Sequence, residues 1–308
     1  MSFSIIIDWL QATLRWSAPL ILLVIGEVFA ERAGVINMGI EGIMLAGALC
    51  GIAISFFSGN LMVAVLVTGI MGAILGLGVA FLTVSRRTNQ VVTGLMINML
   101  AVGATDWLFS MMSAARYTRA TTFPTLFPKA MQQIPVIGPI FFSQPISTWV
   151  AMILPFLAGI VLYKTRWGLN VRAVGDNPQS VATAGLSVIK IKYQTVILSG
   201  MFAALGGCTL TLATDGYFAS GGMTAGRGFI VLAAVVVGGW DPVRSALACL
   251  MFGAANALQL RLQSTDTVIA YQFFQMLPYI ITIVALTAMV KRSVVPKTWG
   301  AAYDQNEN

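Results

Sequence analysis

Residues 26–51 read GEVFAERAGVINMGIEGIMLAGALCG, which sets Glu27, Glu31, Arg32, Asn37 and Glu41 among residues otherwise suited to a membrane helix. A charged side chain at the centre of a bilayer costs about 3 kcal/mol or more, so such groups face a bundle interior, a water-filled path or the interface. Two placements are open. Either Glu31 and Arg32 lie in a loop at the membrane surface and Glu41 alone is inside, or Glu27 faces the interior as well. In both, the apolar flanks are membrane spans.

The rest of the chain has the same character. Of its 308 residues, 57% are hydrophobic and 9% charged, with a mean hydropathy of +0.84; a soluble domain carries about 25% charge. The expected fold is an all-α polytopic membrane protein, a single transmembrane domain over residues 1–308. Runs of about 20 apolar residues place spans at 10–31, 36–57, 61–85, 91–112, 146–163, 194–213, 228–240, 242–262 and 268–290, about eight to nine in all. The run 228–240 is too short to cross unaided, so at least one helix is short or broken.

Outside the spans the longest stretches are 113–145, 164–192 and the tail from Lys291 to Asn308, which leave no room for a soluble catalytic domain. There is no Gly-Lys dipeptide, hence no phosphate-binding loop of the G-x-x-x-x-G-K-[ST] type. Zero histidine removes the H-E-x-x-H zinc sites and makes imidazole-ligated haem unavailable. Cys50, Cys208 and Cys249 are odd in number and lie in apolar runs, so they read as small buried residues and not as a disulfide framework.

The net charge of +7 reports topology, because the basic residues are distributed by loop. If the spans alternate, Arg32, Arg86, Arg87, Lys164, Arg166, Arg172, Lys190, Lys192, Arg244, Lys291, Arg292 and Lys297 share one side. Arg15, Arg116, Arg119, Lys129, Arg227 and Arg261 remain for the other. The N-terminus is therefore expected outside and the C-terminus in the cytoplasm, which makes 113–145 an extracytoplasmic loop and 164–192 a cytoplasmic one. No cationic stretch precedes the first apolar segment, so that segment is expected to be retained.

The pairs Gly47/Gly51 and Gly72/Gly76 have GxxxG spacing, which lets helix backbones approach closely in lipid. Two interruptions stand out, GVINMG at 34–39 and GGWDP at 238–242. Broken helices expose backbone groups that are tolerated only inside protein or beside an aqueous cavity. For 238–242 the turn residues equally suit a tight surface connection.

Residues 164–192 read KTRWGLNVRAVGDNPQSVATAGLSVIKIK. Asn177 can cap a helix, Pro178 suits its first turn and Gly185 its C-terminal end, which predicts about two helical turns over 178–184. Such a small-residue helix is suited to insertion into a groove on a soluble partner. It is equally suited to lying on phospholipid headgroups held by Lys164, Arg166, Lys190 and Lys192.

These stretches, with GRGFIVLAAVVVGGWDPVRSALACLMFGAANALQ at 226–259, carry a resemblance. The chain resembles a permease subunit of an ATP-binding-cassette importer, in the superfamily that serves branched-chain amino acids, simple sugars and nucleosides. ERAGVINMGIEG is most similar to the shorter permease of nucleoside importers. The resemblance implies a cytoplasmic ATPase subunit that binds ATP and Mg, no cofactor of the chain's own, a second related permease in a heterodimer, an extracytoplasmic substrate-binding protein, and a bacterial plasma (inner) membrane location. It also makes 176–185 the coupling helix, with Asp176, Asn177, Pro178, Ser180, Ala182, Ala184 and Gly185 as its residues. The E-A-A-x-x-x-G signature of many importers is absent, so only the location of that segment carries over.

For the solute path, polar groups within spans are the candidates: Asn37 and Glu41, Asn98 and Asn256. Amides donate and accept hydrogen bonds without trapping charge, which suits a neutral solute. Each amide equally suits a helix-to-helix hydrogen bond of about 1 kcal/mol, and Glu41 equally suits pairing with a basic residue of the partner permease. Branched-chain amino acids or simple sugars are the alternative solutes. An ion-coupled secondary carrier using Glu41 or Asp106 is a rival that the capped 176–185 segment disfavours.

Overall fold

The computed structural model describes residues 3–114, 121–213, 216–220, 222–263, 273–274, 276–289, 295–301 and 303. Arg116, Arg119, Lys291 and Arg292, placed above by the charge argument, lie outside them, as does part of the 268–290 run.

The apolar runs are helical because only a ladder within the segment satisfies the backbone in hydrocarbon. With the short polar helices between them, the helices in order are α1 (Phe3–Arg32), α2 (Ile40–Ser58), α3 (Leu61–Ala80, continued by a π turn at Phe81–Ser85), α4 (Gln90–Ala114), the short α5 (Lys129–Gln132), α6 (Ile146–Lys164), α7 (Arg166–Asp176), α8 (Pro178–Thr183), α9 (Val188–Leu212), α10 (Arg227–Val237), α11 (Pro242–Gln263) and α12 (Leu277–Met289). Among the described residues, 7 helices are long and apolar enough to cross a membrane. The 11-residue α10 reaches about 16 Å at 1.5 Å per residue, half of a hydrocarbon layer of about 30 Å.

Helices α1 and α9 are the most buried of the long ones and form the centre, while α4 is the least buried. The GxxxG pairs are the reason α2 and α3 close on α9. A Cβ at Gly47 would lie 2.2 Å from Ala204 O, and one at Gly72 2.4 Å from Ala204 Cβ. Their partners Gly51 and Gly76 meet Cys208 and Val196 in the same way.

One end of the bundle gathers the turns that carry most of the described basic residues. There Arg32 donates from Nε to Trp240 O (2.8 Å) and from Nη2 to Gly239 O (3.2 Å), and Ile36 N–H donates to Gln90 Oε1 (2.8 Å) beside the Arg86–Arg87 turn. Phe29 packs against Trp167 with ring centroids 5.3 Å apart and the rings tilted by 51°. At the opposite end Arg261 Nη1 donates to Ile5 O (2.8 Å) and Gln144 Nε2 to Gln11 O (2.9 Å). The 121–145 connection and the start of α1 therefore lie away from the basic end.

Two departures concern 164–192. The sequence predicts one helix there, yet α7 precedes it, capped by Thr165 Oγ1, which accepts from Gly168 N–H (3.1 Å). Its low-propensity glycines face the protein: a Cβ at Gly168 would lie 2.2 Å from Val161 O. In addition α9 begins at Val188, six residues before the expected 194. Lys192 is consequently a buried helix residue, 2% exposed, with its ammonium 6.0 Å from the Tyr303 ring. A headgroup contact through Lys192 is excluded by that burial.

Candidate functional site

The interrupted segment 34–39 returns into the bundle, where buried side chains of α1 and α4 satisfy its backbone and Ser199 of α9 holds the Asn37 side chain. Asn37 N–H donates to Glu27 Oε1 (2.9 Å), Asn37 Nδ2 to Ser199 Oγ (2.9 Å), and Ser199 Oγ to Glu27 Oε2 (2.7 Å). From α4, Asn98 Nδ2 donates to Met38 O (2.9 Å) and its Oδ1 accepts from Gly42 N–H (2.7 Å). Buried as they are, these backbone groups need hydrogen-bond partners, and side chains supply them. Asn37 and Asn98 thus hold the break.

Glu41 holds a second one. Its Oε1 accepts from Gly226 N–H (2.8 Å) and its Oε2 from Gly228 N–H (2.5 Å). The carboxylate sits at the N-terminus of α10 and in the first turn of its own helix α2, where partial positive charge favours an anion. Helix α10 thus starts inside the bundle with its end neutralised by a carboxylate of this chain, whereas the sequence left open a pairing with another permease.

Glu27 is 0% and Glu31 1% exposed, so neither lies in a surface loop. Helix α1 runs on through Arg32. Glu31 Oε2 accepts from Trp240 Nε1 (2.6 Å) and Trp299 Nε1 (2.8 Å). The GGWDP stretch is the tight connection its turn residues suit, with Gly239 at φ 64° and Trp240 at φ 57°. Asp241 Oδ1 accepts from Val243 and Arg244 N–H and so caps α11.

Asn256 is the one of the four path candidates that lines the cavity beside α10. This cavity, of about 330 Å³, is walled by Leu20, Ala225, Arg227, Ile230, Phe252, Asn256, Gln259, Leu260, Pro278 and Tyr279. Its size is at the lower end of the range for small-molecule clefts, about 300–1,000 Å³. Asn256 and Gln259 share one face of α11 at i, i+3. The Arg227 guanidinium lies 5.1 Å from the Trp16 ring, donates from Nη1 to Met223 O (2.9 Å), and has an Nε without a hydrogen-bond partner among the described residues. Tyr279 Oη donates to Ala225 O (3.3 Å). Gln259, Arg227 and Tyr279 escaped the sequence reading; the i, i+3 spacing from Asn256 was a usable signal for the first only. A larger cavity of about 630 Å³ between α2, α3 and α4 is walled almost wholly by apolar side chains, so it has little with which to hold a polar solute.

The coupling segment has the predicted caps. Asn177 Oδ1 accepts from Ser180 N–H (3.1 Å) and Pro178 opens α8. At the other end Gly185, at φ 81°, and Leu186 donate to Ala182 O (3.0 Å) and Val181 O (3.2 Å), the paired bonds of a Schellman ending. Asp176, Asn177, Ser180, Ala182, Ala184 and Gly185 are exposed, Pro178 is half-buried, and Val181 is buried and anchors the helix.

The family model described as "Branched-chain amino acid transport system / permease component" matches residues 10–286. The guanosine ABC transporter permease protein NupQ of Bacillus subtilis is 37% identical over 95% of this chain and 95% of that one. The nucleoside ABC transporter permease protein NupC of Lactococcus lactis is 33% identical over 94% of each. TsgC13 of Haloferax volcanii, provisionally named a glucose ABC transporter permease protein, is 34% identical over 92% of each.

Proposed function

From the premise that the chain belongs to the family of branched-chain amino acid transport system permease components, and so is a transport subunit and not itself an enzyme, we propose that it carries nucleosides across the membrane in an ATP-driven importer. The observation that carries the mechanism is α8, a capped and exposed helix at the basic end of a chain with no phosphate-binding loop of its own. A cytoplasmic ATPase subunit binds ATP and Mg and presses on 176–185. An extracytoplasmic binding protein delivers the solute, and a second related permease completes the path. By the positive-inside rule the basic end faces the cytoplasm of a bacterial inner membrane. The permease pair then rocks between outward- and inward-facing states as rigid bodies.

In this reading Asn256, with Gln259, Arg227 and Tyr279, contacts the solute. Asn37, Asn98 and Glu41 act on the path indirectly, by fixing the broken segments that border it. The cavity suits an uncharged solute with several donors and acceptors, because Glu41 already occupies the α10 terminus. The names of NupQ and NupC favour nucleosides, and the name of TsgC13 favours a sugar as the second reading. Competition in reconstituted uptake decides between them: guanosine and other nucleosides should block, and a block by glucose with nucleosides inert would transfer the assignment to sugars.

A further inference from the structure

The path and the coupling helix leave the C-terminal segment unexplained, yet it is bonded to both neighbourhoods. Thr298 donates to Gly175 O twice, from its backbone N–H (3.0 Å) and from Oγ1 (2.8 Å). Gly300 N–H donates to Gly34 O (3.2 Å). Trp299 Nε1 donates to Glu31 Oε2, and its ring stands edge-on to Trp240 with centroids 5.9 Å apart. The three backbones are close: a Cβ at Gly175 would lie 2.0 Å from Arg32 O, and one at Gly34 2.9 Å from Thr298 O. Gly175 belongs to the last turn of α7, where carbonyls lack partners within the helix, and it lies just before Asn177, the cap of α8.

We propose that residues 295–301 are a clasp that ties the root of the coupling helix to the α1–α2 turn, with Thr298 and Trp299 as positioning residues for ATP-driven transport. The proposal rests on the importer reading and adds to it the route by which force leaves α8. Gly175 already packs against Arg32 O, and the clasp adds the hydrogen bonds that keep that contact closed when α8 is pushed. With the clasp closed, Gly175, Gly34 and Glu31 move together. Gly34 begins the 34–39 segment that leads into α2, and Glu41 in the first turn of α2 holds the N-terminus of α10 beside the cavity. Glu31 carries the same motion to Trp240 in the turn between α10 and α11. The clasp thereby joins the ATPase-facing helix to both ends of α10.

The test uses the complete reconstituted importer, containing this chain in full, with ATP hydrolysis and nucleoside uptake measured together. Trp299→Phe keeps the ring and removes the donor; Thr298→Val removes the hydroxyl donor; Glu31→Gln weakens the acceptor. The ATP hydrolysed per nucleoside taken up should rise about tenfold in Trp299→Phe, the size of one hydrogen bond, while the ATPase chain stays bound. Thr298→Val should move the ratio the same way and supplies the answer if Trp299→Phe fails to accumulate. The Trp299→Phe/Glu31→Gln double variant should be no worse than the poorer single one, because the bond removed by Trp299→Phe is one of the two that Glu31→Gln weakens. An unchanged ratio in Trp299→Phe and Thr298→Val overturns the clasp, as does an equal fall in hydrolysis and uptake with a lowered melting temperature. A wild-type preparation that lacks any ATPase chain would sink the importer reading, and the clasp with it.

Discussion

Side chains of the same type separate here by what they touch. Asn98 bonds backbone at both ends of its amide, whereas Asn256 lines a cavity. Replacing each with leucine should therefore have different consequences. Asn98→Leu leaves two buried backbone groups unpaired, at about 1–3 kcal/mol each, and should lower the melting temperature of the purified complex. Asn256→Leu should leave stability near wild type and raise the KM for uptake about tenfold, as loss of one solute hydrogen bond does. Equal KM values for wild type and Asn256→Leu would remove the residue from the path. Glu41 is a third case, since its two oxygens serve two N–H donors. Glu41→Gln keeps one acceptor oxygen and should be milder than Glu41→Ala, in both thermal stability and uptake rate.

At the scale of the helix, glycine acts in two ways, by close approach and by backbone angle. On α3 a Cβ at Gly72 would meet Gly200 O at 2.5 Å, while one at Gly78 meets nothing within 4 Å. Gly72→Val should push α3 off α9 and give aggregated protein on size-exclusion chromatography, and Gly78→Val should elute as wild type. Gly185 has open space around it but a φ of 81°. Gly185→Val is strained by about 1–2 kcal/mol through its backbone alone, and should fray the end of α8 and uncouple hydrolysis from uptake at normal protein levels. Gly185→Asn, which tolerates a left-handed angle, should restore coupling. Unchanged transport in Gly185→Val would take the coupling role away from 176–185.

At the scale of the whole molecule, the arrangement of charge predicts orientation. In a cysteine-free background, Thr183→Cys on α8 should react with an impermeant maleimide only after the cells are opened, and Ala130→Cys on α5 should react in intact cells. The reverse pattern would invert the topology. The membrane class, most span limits, the shortness of α10 and the caps of α8 are legible in the sequence. Each of these follows from apolar run length or from contacts within a few residues of the chain, as with Asn177 and Ser180. It left α7 unseen, although the Thr165 cap and the spacing of Gly168, Val171 and Gly175 were there to be read. Which polar residues line a cavity and which repair a broken helix emerges only from the packed bundle. Glu41 finds its partners at Gly226 and Gly228, Asn37 at Ser199, and Glu31 at Trp240 and Trp299. A buried backbone group must be satisfied by whatever segment packs beside it, and segments so far apart in the chain become neighbours only through the packing of the whole bundle.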